Sequence, residues 1–552
     1  MNKDSSDSIF TSDLQPGFNY KSYLHLIPLA IIILFVIVIR IRLLEFPLER
    51  DEGGFAYIGR LILNGELPYR DAYDFKPPGL YITYALIMSL LGDTTEGIHL
   101  GLLIVNVASV ILLFFISQKV SNTYCAIFSS ASYAILSLSS SVVGFAAHAT
   151  HFVILYALLA ALLFLRASEK DGLSIFFWSG LVGGCAFLMK QPGICFSVLP
   201  VACLVVYEIL GRAYDFKKFV IRVGILLVGI IIPFGATVLI MLLLGIFDHY
   251  WFWNFKYGGL FAEKINLRYV IPIFISNFQH AVNGFYLLWA LAGLGFIALI
   301  SQRGFDSNKI FINCFLFLSI IAVNIGFHFR EHYFIMILPA LSLLVGICLY
   351  RLKTFIETKF KQSFLKIIPV GIFLVCAGIG IFEQKSYFFP SDFVELSRLT
   401  YGRNPFPESL EIANFIKSRT SRQDKIAVIG SEPQIYFYSE RKAATKFLFT
   451  YFFMENHSYS LEMQKEFTEE IEQNKPRMIV YANIPPSWLR TSESESYVFT
   501  WFNDFIMREY ELVGVVDIPS KTKTVYKWDS EAKRYNPQSQ YNLYIFERKL
   551  HS

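Results

Sequence analysis

Residues 49–79, ERDEGGFAYIGRLILNGELPYRDAYDFKPPG, pack six carboxylates, four cationic side chains, three tyrosines and three prolines between two strongly hydrophobic regions. Charge at the edge of a bilayer is costly unless it faces water, protein or a charged ligand, so this stretch is the first candidate for a site. Within it Asp51 and Glu52 are adjacent and followed by Gly53 and Gly54, an arrangement that a merely solvated loop does not need. The plainer reading is a solvated loop whose charges only hold topology.

The 552 residues are 54% hydrophobic and 17% charged, with positive mean hydropathy, well outside soluble globular usage. The chain reads as an α-helical polytopic membrane protein with a C-terminal soluble α/β domain. Its net charge of +5 is spread over many loops and gives no reason to invoke nucleic acid. The seven cysteines all fall in or beside apolar runs, which supports neither a disulfide framework nor a zinc site. The polar start lacks the basic region and cleavage site of a secretory signal, so the first apolar run is expected to stay attached as an anchor.

A spanning helix needs about 20 apolar residues. On that template eleven spans are expected, at 24–43, 97–117, 123–143, 150–166, 174–190, 193–210, 219–246, 281–301, 309–326, 333–350 and 365–382. The run Leu80 to Leu91 is short and follows Pro77-Pro78, so it is expected to lie on the membrane surface or dip into it. With the N-terminus inside, the inner segments hold sixteen Lys and Arg, and the outer connections before the tail hold eleven. That bias follows the positive-inside rule. The resulting plan is a cytoplasmic tail over 1–23, a membrane domain over 24–384 with a large first outer loop at 44–96, and an outer-face domain over 385–552.

This orientation places every loop with unusual residues on one face. Besides Asp51, Glu52 and Lys76, these are GFAAHATH with His148 and His151, MKQPG with Lys190, FKYGG, and GFHFREHYF with His328, Arg330 and His332. His148 and His151 stand three apart at a helix start, so they are expected to share a face. They could bind phosphate, a metal or a hydroxyl, or be polar residues at a water-facing helix end. Lys190 is open to two readings, snorkelling or phosphate binding. The aromatic run DHYWFWNFKYGG suits a membrane interface in any case.

After Phe382 no spanning run remains. Helical patterns in ESLEIANFIKSRT, LEMQKEFTEEIEQN and YVFTWFNDFIMREY alternate with the strand-like KIAVIG, RMIVYANI and ELVGVVDI, and YNLYIFER is the expected last strand. Such alternation implies a small α/β sandwich. The turn SEPQIYFYSERK lacks the glycine fingerprint of a nucleotide fold.

The adjacent acids at 51–52, the segment GELPYRDAYDFKPPG at 65–79, KQPG at 190–193 and REHYFIMILPALSLLVG at 330–346 together resemble the GT-C glycosyltransferases of the protein-mannosyltransferase and aminoarabinose-transferase type. The likeness is greatest to the bacterial branch that includes lipopolysaccharide galacturonosyltransferases. It implies a GT-C fold in a bacterial inner membrane, with a site facing the periplasm. A polyprenyl-phosphate sugar is the implied donor, and a hydroxyl on lipid, glycan or protein the implied acceptor. Asp51, with Glu52 beside it, matches the catalytic acid/base position, and Lys76 matches the lysine implied to meet the donor phosphate. Several relatives carry an acidic residue where this chain has His148 and His151, a departure that keeps the resemblance from carrying over a metal or second-carboxylate role there; a divalent metal ion is an open option only. No other cofactor is implied.

The chemistry suits these residue types independently. An acceptor hydroxyl must lose its proton as it attacks the anomeric carbon, and a carboxylate within reach can take it. The departing phosphate needs cations, for which Lys76, Arg330 and Lys190 are the candidates. Arg70, Asp74, His148, His151, His328 and His332 are candidates for substrate binding. One base and one displaced phosphate imply single displacement with inversion by a hexosyl or pentosyl transferase. The rival readings are a secondary transporter, which would keep its ionisable groups near the bilayer midplane, and a polymerase or ligase that moves whole lipid-linked glycans.

Overall fold

The structure is a computed structural model that describes residues 26–210, 215–302, 304, 306–360 and 362–549. The expected cytoplasmic tail at 1–23 lies outside the described residues. The chain enters through α1 (Leu26–Arg42) and then forms α2 (Arg50–Leu63), α3 (Pro78–Leu91), α4 (Thr95–Val120), α5 (Thr123–Leu136), α6 (Ala149–Lys170) and α7 (Leu173–Met189).

Each of the eleven apolar runs is helical over most of its length. Among the described residues seven helices are long and apolar enough to cross a membrane: Thr95–Val120, Ala149–Lys170, Gln191–Leu210, Phe216–Leu243, Ser307–Asn324, Leu338–Lys359 and Phe364–Glu383. The runs at 24–43, 123–143 and 174–190 form the shorter helices α1, α5 and α7. Two expectations change in shape. The run at 281–301 is not one straight span, because Leu267–Val282 and Tyr286–Ile300 meet at 107°. The turn between them contains Gly284 at φ 78°, a left-handed conformation that glycine adopts without strain.

The second change shapes the site. The run at 123–143 stops being helical at Leu136, and residues 137–148 fold into a buried irregular segment. Buried backbone groups need partners, and four side chains supply them here. Arg40 of α1 donates to the carbonyls of Gly144 at 2.8 Å and Phe145 at 3.2 Å. Glu52 of α2 accepts from the Ala147 amide at 2.6 Å. The Tyr387 hydroxyl accepts from Phe145 N at 3.2 Å, and Gln384 accepts from Ser140 N at 3.0 Å.

The opening stretch of charge folds into α2, an extended loop and the start of α3. A capping box starts α2: the Glu49 side chain accepts from Glu52 N at 3.0 Å, and the Glu52 side chain accepts from Glu49 N at 3.3 Å. Proline at the first position of α3 leaves no helical hydrogen bond wanting. Gly79 lets α3 approach α7 closely, since a β-carbon there would stand 2.7 Å from the Leu188 carbonyl oxygen. The helix expected at the membrane surface therefore packs into the bundle against α2, α4 and α7.

The tail builds a six-stranded sheet from β1 (Lys425–Ile429), β2 (Lys442–Ala443), β3 (Met478–Asn483), β4 (Tyr510–Ser520), β5 (Lys523–Trp528) and β6 (Asn542–Arg548), in the order β2-β1-β3-β6-β4-β5. β1 pairs parallel with β2 and β3, and the remaining pairings are antiparallel. The final strand thus lies inside the sheet, between β3 and β4. The turn after β1 abuts α2, where Arg50 donates to the Ser431 carbonyl, to Asn404 Oδ1 at 3.1 Å and to Glu432 Oε1 at 2.6 Å.

Candidate active site

The loops singled out by charge meet at one end of the bundle. Asp51 lies in the first turn of α2, where a carboxylate is favoured by the helix dipole. It is half-buried. Burial pushes its carboxyl up, but the positive charge of Lys76, then of His148, Arg330 and Lys190, outweighs burial and holds it below the usual carboxylate range. The groups that flank Asp51 therefore come from four separate segments of the chain.

Lys76 is half-buried with its ammonium 3.5 Å from the centre of the Phe75 ring. Lys190, at the end of α7, is buried with its ammonium 3.6 Å from the Tyr333 ring centre. Neither ammonium has a carboxylate partner within ion-pair distance among the described residues. Gln191 Nε2 donates to the Phe75 carbonyl at 2.7 Å and ties the two lysine-bearing segments together. Both lysines open onto a cavity of about 360 Å³ whose walls include Phe187, Phe255, Phe261 and Tyr333. An apolar cavity ending in two ammonium groups matches an amphiphile with an anionic head.

His148 is the N-cap of α6, with its ring stacked on that of His332 at 4.1 Å and 15°. Its Nδ1 lies 3.9 Å from Glu49 Oε1, and its Nε2 is buried without a hydrogen-bond partner. Asp51, His148 and His332 each offer a ligand atom, all within 4.8 Å of one another. Burial holds the His148 ring below its usual value despite Asp51, which favours the neutral, ligating form. Two imidazoles and a carboxylate, with an orphaned buried nitrogen among them, are a donor set that fits a divalent transition metal.

Several sequence expectations are corrected. Glu52 does not join Asp51 at the site surface. It is fully buried, with His99 Nε2 at 3.1 Å and the Ala147 amide on the same oxygen, and the Glu49 amide on the other. His99 Nδ1 lies 2.8 Å from the Leu44 carbonyl, so both ring nitrogens face acceptors. His148 and His151 do not share a helix face, because His148 sits at the N-cap with extended backbone, φ −61° and ψ 147°. His151 is buried behind the cluster, with neither ring nitrogen hydrogen-bonded. Arg70 is exposed, pairs with Asp71 at 2.7 Å and lines a polar cleft against the tail instead. Asp74 is buried under its own loop and accepts from Phe75 N at 2.7 Å. His328 stacks on Phe261 at 4.2 Å, with Nε2 2.9 Å from the Phe261 carbonyl, and burial pushes its ring down to about 4. Arg330 is exposed and still acts on Asp51 through its charge.

Three contributors were not among the sequence candidates. Glu49 supports His148, Tyr333 carries Lys190, and Glu432 of the tail holds Arg50. Only the adjacent capping pattern of Glu49 and Glu52 was there to be read.

Residues 75–239 match the family model described as dolichyl-phosphate-mannose-protein mannosyltransferase. A search of curated proteins finds no match. The oligosaccharyltransferase of Archaeoglobus fulgidus in its apo form is similar at TM-score 0.57 and 12% identity, over 94% of this chain and 76% of that one. ArnT from Cupriavidus metallidurans, bound to undecaprenyl phosphate, is similar at TM-score 0.56 and 15% identity, over 82% of this chain and 92% of that one. The arabinofuranosyltransferase AftD from Mycobacteria is similar at TM-score 0.51 and 10% identity, over 95% of this chain and 40% of that one. At these identities the likeness establishes the fold.

Proposed function

We infer that this chain, which has the fold of the GT-C glycosyltransferases, transfers a single sugar from a polyprenyl-phosphate donor to a hydroxyl acceptor. The observation that carries the reading is Asp51 set among the charges of Lys76, Lys190 and Arg330, with the two lysines lining an apolar cavity. One carboxylate and several cations are what a displacement at an anomeric carbon needs.

The polyprenyl chain enters along Phe187, Phe255 and Phe261, and its phosphate meets Lys76 and Lys190. Arg330 reaches the same charge from the water side. As the sugar–phosphate bond breaks, negative charge grows on the departing phosphate, and pre-placed cations stabilise it without reorganisation. Asp51 stays ionised at neutral pH and accepts the proton of the attacking hydroxyl. Attack opposite to the departing phosphate inverts the anomeric centre. A divalent ion held by Asp51, His148 and His332 would supply Lewis acidity to oxygens in the site.

The donor transfers a hexosyl or pentosyl group, and the working face is the periplasmic side of a bacterial inner membrane. The positive-inside distribution of Lys and Arg supports that orientation, and the site groups gather at helix ends on one side, as a transporter's would not. Two measurements test the reading. Purified protein should bind undecaprenyl phosphate, and mass spectrometry of surface glycolipids and glycoproteins should show one sugar residue missing in cells that lack the gene. A missing multi-sugar block, with binding of the lipid diphosphate only, would favour the ligase reading.

A further inference from the structure

The tail packs directly on the first outer loop and on α2. Between β2 and the helix Ser460–Asn474 the chain runs as a strap, KFLFTYFFMEN over 446–456. At one end Tyr73 N donates to the Lys446 carbonyl at 2.7 Å and Tyr73 bridges Phe447. In the middle Phe449 packs on Gly54, where a β-carbon would stand 2.6 Å from its ring. Beyond it Phe452 lies 5.9 Å from Phe75 and 5.2 Å from both Trp253 and Tyr257. At the far end Glu455 accepts from the Tyr257 hydroxyl and Lys264 Nζ, both at 2.9 Å. The strap therefore joins the first outer loop to the aromatic segment at 247–263 over the start of α2.

One strap residue differs from its neighbours. Phe447, Phe449, Phe452 and Phe453 are buried, whereas Tyr451 is half-buried. Its hydroxyl makes no hydrogen bond to any described residue, although every neighbour that fixes its backbone is in place. The Tyr451 amide donates to Ser431 Oγ at 3.3 Å, and the Ser431 carbonyl accepts from Arg50, next to Asp51. Asp51 is the strongest charged neighbour of the hydroxyl, followed by Asp74, Arg330 and Arg50. Tyr451 is absent from the walls of the apolar cavity that Lys76 and Lys190 close. Asp51 does not line that cavity either, so the carboxylate and the strap hydroxyl both lie off the surface that the two lysines close.

Single displacement requires the attacking oxygen to approach from the side opposite the leaving phosphate. With the phosphate on the lysines that line the cavity, the strap, which lines no part of it, leaves a separate approach for the attacking oxygen. We propose that Tyr451 binds the acceptor, its hydroxyl hydrogen-bonding the acceptor group beside Asp51, so that the acceptor subsite lies between the tail strap and the first turn of α2. This rests on the transfer reading above. A phenol suits the task because it can donate and accept at once, and holding an acceptor in line is worth rate without any proton transfer of its own.

The test uses the full chain in nanodiscs, with detergent extract of membranes from cells lacking the gene as the source of donor and acceptor. Tyr451→Phe keeps the ring and removes only the oxygen. A single hydrogen bond to substrate is worth about three- to tenfold, so the amount of extract giving half-maximal transfer should rise by that factor. Undecaprenyl phosphate binding and melting temperature should stay at wild-type values. Phe449→Leu, which loosens the strap without touching a polar group, should lower the melting temperature instead. Tyr451→Phe with wild-type transfer, or with a loss shared by undecaprenyl phosphate binding or melting temperature, would overturn the assignment. An Asp51→Asn protein that still transfers sugar is a different result, and would sink the transfer reading itself.

Discussion

A β-carbon on Gly53 would stand 2.5 Å from the Cα of Gln434, closer than real side chains come to backbone. The glycine pair that follows the two acids lies inside α2 and is therefore the seat of the tail on that helix. Alanine is a better helix former than glycine by about 1 kcal/mol, so on propensity alone Gly53→Ala would stabilise α2. The opposing atom is backbone and cannot swing aside, and overpacking costs about 1–3 kcal/mol. The clash is expected to win, with melting temperature and transfer falling together. Gly224→Ala, which meets nothing within 4 Å, is the control and should melt no lower than wild type. A Gly53→Ala protein that melts and works like wild type would show that the tail is not seated there.

Glu52 should behave as a buried structural carboxylate. Burial pushes it up, but the charge and hydrogen bond of His99 and the Ala147 amide hold it below the usual range. Glu52→Ala strands a buried imidazole and a buried amide, and breaking such a pair costs about 3–5 kcal/mol. Denaturant melts should show that loss for Glu52→Ala and none for Asp51→Asn. Normal stability with lost turnover in Glu52→Ala would place Glu52 at the reacting atoms instead.

Lys190 gives the site a pH dependence. Burial, helped by Lys76, holds its ammonium well below the ordinary lysine range, although Asp51 pulls the other way. A lowered ammonium loses its charge sooner as pH rises, so undecaprenyl phosphate binding should weaken on the alkaline side. Lys190→Arg keeps its charge across that range and should show a flatter profile. The phosphate's own titration is common to both proteins, so the difference between the two profiles reports the lysine alone. Superimposable profiles would remove Lys190 from the donor phosphate.

Metal binding separates the two histidine pairs. After dialysis against chelator and reloading with zinc or manganese, metal content measured by mass spectrometry should fall in His148→Ala and His332→Ala and hold in His151→Ala. Equal retention in all three would leave the stacked pair without a ligand role. Loss only in His151→Ala would restore the pairing that sequence spacing suggests.

That contrast shows where the chain was legible. Charge in an apolar background drew attention to Asp51, Lys76, Lys190 and Arg330, because such charge is expensive wherever it lies, and the fold brings the three cations to act on the carboxylate. Spacing misplaced His151 because a three-residue interval implies a shared face only inside a helix, and His148 is the residue before the helix begins. Runs of apolar residues located the helices but not where they break, because the span template ran through short polar interruptions: α5 ends at Leu136 before Ser137, and Gly284, after Gln279, His280 and Asn283, sits at the bend. The tail strap was out of reach altogether. KFLFTYFFMEN has no period, and its partners Gly54, Phe75 and Tyr257 lie hundreds of residues earlier, so only the folded chain shows what it covers.

The central carboxylate and its first cation should separate chemistry from binding. Asp51→Asn preserves size and most hydrogen bonding but removes the base, and a positioned general base is worth about a hundred- to ten-thousand-fold. Single-turnover transfer should collapse while undecaprenyl phosphate binding persists, because the proposed function gives the lipid phosphate to the lysines and not to the carboxylate. Binding could even tighten, since a negative charge beside the phosphate has been removed. Lys76→Ala takes away a cation that acts both before and during displacement, so affinity and rate should fall together. The pair is informative because Lys76 heads the charges that keep Asp51 ionised. Losing the lysine therefore also raises the Asp51 carboxyl, and the residual activity of Lys76→Ala should improve as pH is raised, a shift that Lys76→Arg should not show. Near wild-type transfer by Asp51→Asn would refute the assigned chemistry whatever the fold.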